Sequence, residues 1–164
     1  MILYDPFFLL FQSPLSNTLY LLRNKIKSYL EYNWEEWFDL AFLHPPYDSI
    51  IKFSDDKDDL SNCKTTEQFY SEFWKVLENT YSLLNTWWYC IVVIWDKYQN
   101  SEWIPLWFGC MNEAQKAWFK LKSIIVKNME NNRWKAWSWG IWKYRALSSD
   151  YYLFKHEYVL VFKK

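Results

Sequence analysis

Phe38-Asp39-Leu40-Ala41-Phe42-Leu43-His44-Pro45-Pro46-Tyr47 is a nearly continuous apolar run that stops at two prolines and an aromatic residue. A short run that is apolar at successive positions is what a parallel strand buried on both faces requires. The two prolines fix φ and remove two N–H donors, so the chain leaves the strand extended with carbonyls free to accept hydrogen bonds. A stacking ring, Tyr47, follows at once. The step suits a planar substrate that carries an exocyclic amine.

The flanking sequence supplies the rest of an α/β pattern. Upstream, Ser16 or Asn17 can cap a helix over 16–31, with Leu19, Leu22, Ile26 and Leu30 on one face. Downstream, an acidic cluster at 55–59 precedes Thr65, Thr66 and Glu67, which open a helix through 84 marked by Phe69, Phe73, Val76, Leu77, Tyr81 and Leu84. Residues 87–95 read as the next strand, Pro105 begins a helix to about 117, and 119–127 alternates as a strand. Residues 151–162 give the last strand. The order predicts an α/β three-layer sheet with right-handed crossovers and an antiparallel last strand.

Composition narrows the class. Apolar residues make up 51% of 164 residues, enough to fill one core. The longest uninterrupted apolar stretch, 87–95, falls far short of the ~18 residues of a membrane span, and no basic region precedes the first apolar residues. A soluble, cytoplasmic protein is expected. Cys63, Cys90 and Cys110 form neither an even set nor a metal-ligand spacing, which predicts reduced thiols and no metal. No hydrolytic triad, phosphate loop or zinc spacing occurs.

Net charge is zero, which argues against a binder driven by charge alone. The halves nevertheless differ: residues 1–100 hold 8 Lys/Arg against 14 Asp/Glu, and residues 101–164 hold 11 against 5. Any nucleic-acid surface therefore belongs to the second half. Arg133, Lys135, Lys143 and Arg145 lie between two expected strands, either as phosphate contacts or as a solvated loop.

The chain has 13 Trp and only 2 Gly, where average usage of ~7% would give about a dozen glycines. Leu84-Asn85-Thr86-Trp87-Trp88-Tyr89 and Ala117-Trp118-Phe119 fall where helices give way to strands, places that favour glycine in the left-handed conformation. Two readings stand. The protein is tryptophan-rich and stacks bases or sugars on its rings, or UGA codons that its cell reads as glycine have been translated as tryptophan. On the second reading the candidates are Trp37, Trp74, Trp87, Trp88, Trp95, Trp107, Trp118, Trp134, Trp137 and Trp139, with Trp34, Trp103 and Trp142 authentic.

His44-Pro45-Pro46-Tyr47 resembles the Asp/Asn/Ser-Pro-Pro-aromatic signature of the DNA amino-methyltransferases that act on N6 of adenine or N4 of cytosine. Residues 44–54, 103–108 and 156–163 resemble segments of one bacterial subfamily in the same order, and the likeness spans about 38–164. It implies residues 1–37 as an extension and helix, and 38–164 as the catalytic half of a Rossmann-like methyltransferase sheet. It also implies S-adenosylmethionine as methyl donor, DNA as substrate, base flipping, and stacking of the flipped base on Tyr47.

In the family a Phe-x-Gly-x-Gly turn after the first strand holds the donor. Asp5-Pro6-Phe7 resembles its opening, but Phe8-Leu9-Leu10 lacks the small residues, and restoring every suspect Trp to Gly does not create the turn. A truncated or split enzyme is therefore expected, the split form having its cofactor-binding half on a separate, upstream chain. The alternative is a non-catalytic nucleic-acid-binding relic. Asp96, at the end of the central strand, either borders the donor pocket or forms a turn, and His156-Glu157 either orients the site or fixes the last strand. His44 departs from the family's Asp, Asn or Ser; a neutral imidazole can accept a hydrogen bond from an amine, but an imidazolium cannot.

Overall fold

Strand β3, Phe38–Leu43, has Ala41 and Leu43 wholly buried and lies between two parallel neighbours, as its apolar run requires. The computed structural model describes residues 2–5, 8–11, 38–129, 144, 146–148 and 155–164. Before β3 come β1 (Ile2–Asp5) and β2 (Phe8–Phe11), paired antiparallel. After it come β4 (Leu84–Ile94), the short strands β5 (Lys97–Gln99) and β6 (Glu102–Ile104), then β7 (Lys120–Asn128) and β8 (His156–Lys163). Six strands form one sheet in the order β1-β2-β3-β4-β8-β7. Strands β2, β3 and β4 run parallel, and β8 is antiparallel to both β4 and β7. The antiparallel last strand is as expected.

Helix α1, Thr66–Leu83, crosses from β3 to β4, and α2, Leu106–Lys116, from β4 towards β7. Both crossovers advance in the same direction along the sheet, so right-handed connections put both helices on one face. There they pack on each other. Thr65 caps α1 by accepting from the Gln68 amide at 3.1 Å, and the Gln68 side chain reaches back to the Lys64 amide at 2.9 Å. Phe69, Phe73, Val76, Leu77 and Leu83 form its buried stripe; Leu106, Cys110 and Ala114 form that of α2. Phe69 and Phe73 stack at 6.0 Å, and Leu160 and Phe162 of β8 complete the core beneath.

The helix expected over 16–31 lies outside the described residues, as do 151–154 of the expected last strand. Strand β4 begins at Leu84, before the expected 87, because Leu84 pairs with Phe38 and the chain then bulges before Tyr89 resumes pairing with Leu40. The β5–β6 hairpin was not anticipated. Its turn residues Asn100 and Ser101 have φ of 53° and 63°, the left-handed pair that matches strand twist. No described helix is long and apolar enough to cross a membrane.

Candidate active site

The chain leaves β3 at the C-terminal end of the parallel strands and turns through His44, Pro45, Pro46 and Tyr47 into a 3-10 turn at Asp48–Ile50. Crevices at the carboxyl ends of such strands are where α/β sheets take ligands. His44, Pro45, Pro46, Tyr47, Ile50, Ile51 and Phe53 line a cavity of about 210 Å³. Ile50, Ile51 and Phe53 stand more than half exposed and give it an apolar rim.

Behind this turn a chain of hydrogen bonds crosses the sheet. The Tyr47 hydroxyl donates to Glu157 Oε1 at 3.1 Å, and Lys127 Nζ donates to Glu157 Oε2 at 2.9 Å. Lys127 and Glu157 are cross-strand neighbours on β7 and β8. His44 Nε2 lies 2.8 Å from the Tyr47 hydroxyl oxygen. A carboxylate only accepts, so the tyrosine O–H points at Glu157 and the hydroxyl oxygen accepts from His44 Nε2–H. This hydrogen-bond order assigns the Nε2–H tautomer, leaving Nδ1 as the ring's acceptor.

Burial lowers the His44 pKa from its ordinary 6.5; Glu157 opposes this and Lys127 reinforces it. Burial raises the Tyr47 pKa, with the Glu157 charge and the hydrogen bond to it adding to the effect, so the phenol keeps its proton. The Tyr47 ring stands edge-on to Trp95 with centroids 5.8 Å apart and is tilted against His44 at 5.7 Å.

A second group, which sequence reasoning missed, locks the exit of the turn. Asp48 is fully buried with φ of 55°. Its Oδ2 accepts from Lys97 Nζ at 2.5 Å and from Thr66 Oγ1 at 2.8 Å, while Oδ1 accepts from the Ser49 amide at 2.7 Å. The turn is thereby fastened to β5 and to the first residue of α1. No local pattern announced Lys97 or Lys127 as partners. Glu157 was named only as one of two readings of the 156–157 pair.

Asp96 is 3% exposed. Its Oδ2 accepts from Trp103 Nε1 at 3.0 Å and its Oδ1 from the Trp107 amide at 3.5 Å. Helix α2 has no side-chain cap from Pro105, and Asp96 serves its first turn instead. Burial raises the Asp96 pKa against these hydrogen bonds. His156 Nε2 meets the Tyr158 hydroxyl at 3.0 Å, on the other side of β8 from Glu157. Arg133, Lys135, Lys143 and Arg145 lie outside the described residues.

Cys63, Cys90 and Cys110 are free and buried. Burial raises all three thiol pKa values, that of Cys63 to about 11, so none is poised as a thiolate. No group of three or more His, Cys, Asp and Glu among the described residues could hold a metal ion.

No family model and no curated protein matches the chain. Solved structures do. Two crystal structures of a Thermus thermophilus protein, provisionally designated a DNA modification methylase, superpose with TM-scores of 0.53 and 0.52 at 17% and 18% identity. They cover 76% and 77% of this chain and 44% and 45% of that one. A third, complexed with S-adenosyl-L-methionine, gives 0.51 at 17% identity over 77% of this chain and 47% of that one. The fold is methyltransferase-like. The chain spans less than half the length of the structures it matches.

Proposed function

We propose that this chain is the catalytic half of a DNA amino-methyltransferase that moves a methyl group from S-adenosylmethionine to the exocyclic amine of adenine or cytosine. The observation that carries this reading is the His44-Pro45-Pro46-Tyr47 turn at the carboxyl end of a parallel strand, braced from behind by Glu157. The methyltransferase-like fold and the residue-by-residue resemblance support it.

The Phe-x-Gly-x-Gly turn by which the family holds S-adenosylmethionine has no counterpart in the sequence. Asp96, the one candidate, is turned onto Trp103 and the start of α2. On this proposal the donor is held by the cofactor-binding half of the enzyme, carried by a separate chain. What this chain contributes is the amine's side of the reaction. The flipped base enters the cavity between Tyr47 and the apolar rim of Ile50, Ile51 and Phe53, which exclude water. The amine donates one hydrogen bond to the Pro45 carbonyl and one to His44 Nδ1, so its lone pair is turned towards the incoming methyl group. Glu157 and Lys127 position these groups through Tyr47 without touching the base.

The test supplies unmodified DNA and radiolabelled S-adenosylmethionine to the purified chain, with and without the product of the adjacent gene. Incorporation into DNA that disappears in Tyr47→Ala is the expected result. Background counts in every arm, with DNA still bound, would leave the non-catalytic binding relic as the correct reading.

A further inference from the structure

We propose that residues 87 and 118 are glycine in the protein its cell makes, UGA being read there as glycine and rendered as tryptophan in the printed chain. Five described non-glycine residues have positive φ. Three are Asp48, Asn100 and Ser101, short polar side chains suited to turns. The other two are Trp87 at 76° and Trp118 at 72°. No glycine among the described residues has a positive φ. The backbone thus places bulky indoles where Cβ meets the following carbonyl, while the one described glycine, Gly109, lies within helix α2.

Each site has the hydrogen-bond or pairing geometry in which glycine is the usual occupant. After α2, the Phe119 amide donates to the Ala114 carbonyl at 3.1 Å and the Trp118 amide to the Gln115 carbonyl at 3.1 Å. This is the Schellman termination, with Trp118 in the left-handed position, and Phe119 and Ala114, the two residues that flank the motif's outer hydrogen bond, are both buried. Trp87 sits in the bulge of β4 between Leu84 and Tyr89, where a left-handed residue restores pairing with β3.

Neither indole is buried by the fold: Trp87 is 71% exposed and Trp118 76%. Lys163 Nζ lies 5.2 Å from the Trp87 ring, an exposed cation–π contact weaker than the steric cost of the conformation. Trp103 differs, since its Nε1 donates to the buried Asp96 and its φ is not positive.

Two measurements decide the matter. The gene is read at codons 87, 118 and 103, and the full chain is compared with Trp87→Gly/Trp118→Gly and with Trp103→Gly by thermal unfolding. UGA at 87 and 118, a rise in Tm of roughly 5 °C for the double variant, and a fall for Trp103→Gly are expected. UGG at either 87 or 118, or a double variant no more stable than the printed chain, overturns the proposal.

Discussion

Glu157 Oε1 receives the Tyr47 hydroxyl at 3.1 Å across 110 positions of sequence. The contact joins the turn after β3 to β8, two strands away in the sheet. It also sets the direction of every proton behind the site, because an ionised carboxylate can only accept. Tyr47→Phe removes the middle of this chain. We expect it to lose about 1 kcal/mol of stability by urea unfolding and to release the His44 tautomer, seen as mixed Nδ1–H and Nε2–H signals in ¹⁵N spectra of the imidazole. An unchanged single tautomer would show that Tyr47 does not hold it.

The protonation of His44 sets an acid limit. Its folded-state pKa lies below the ordinary 6.5, chiefly through burial. The unfolded chain therefore takes up the proton more readily, and the associated stability is present above pH 6.5 and is lost as pH falls from there towards the folded value. Methyl transfer that relies on Nδ1 as acceptor should hold to a midpoint below pH 6.5 when followed from about pH 8 to about pH 5. Glu157→Gln should move that midpoint further down and Lys127→Met should move it up, since the two charges act on His44 in opposite senses. A limb centred above pH 6.5 would contradict the assignment.

Removing Lys97 strands a buried charge. The Lys97 and Asp48 side chains are 5% and 1% exposed. Lys97→Met leaves Asp48 with only hydroxyl and amide donors, and a cost of roughly 3–5 kcal/mol in urea unfolding is expected. Asp48→Asn combined with Lys97→Met should recover part of that loss. Equal losses for the single and double variants would mean that the pair matters only as packing.

Gly109 has a different use from the glycines proposed at 87 and 118. A Cβ there would collide with the ring of Tyr70 on α1. Alanine favours a helix interior over glycine by about 1 kcal/mol, yet Gly109→Ala should destabilise the protein because the ring must move. In a Tyr70→Ala background the same substitution should become neutral or stabilising, a sign change that a double-mutant cycle measures directly.

Local signals made β3 and α1 legible. An apolar run ending in Pro-Pro has few alternatives, and Thr65 and Gln68 bracket the start of a helix whose buried stripe repeats every three or four residues. The candidate turn could be placed for the same reason. Its supports could not, because Lys97 lies 49 positions from Asp48 and Glu157 110 positions from Tyr47. Nothing in periodicity relates residues that far apart; sheet order alone brings them together. Asp96 illustrates the converse, a strand-end carboxylate whose partners, Trp103 and the Trp107 amide, exist only once β6 and α2 are placed.

Strand β8 occupies the interior of the sheet although it is the last element of the chain. On a ribosome, β3, α1 and β4 emerge and can associate long before residues 156–163 are made, since such distant pairings close late. Until then β4 has an open edge, and the tyrosine of the Pro-Pro-Tyr turn has no carboxylate behind it. The bracing of that turn is thus among the last parts of the fold to form, completed in the step that closes the sheet.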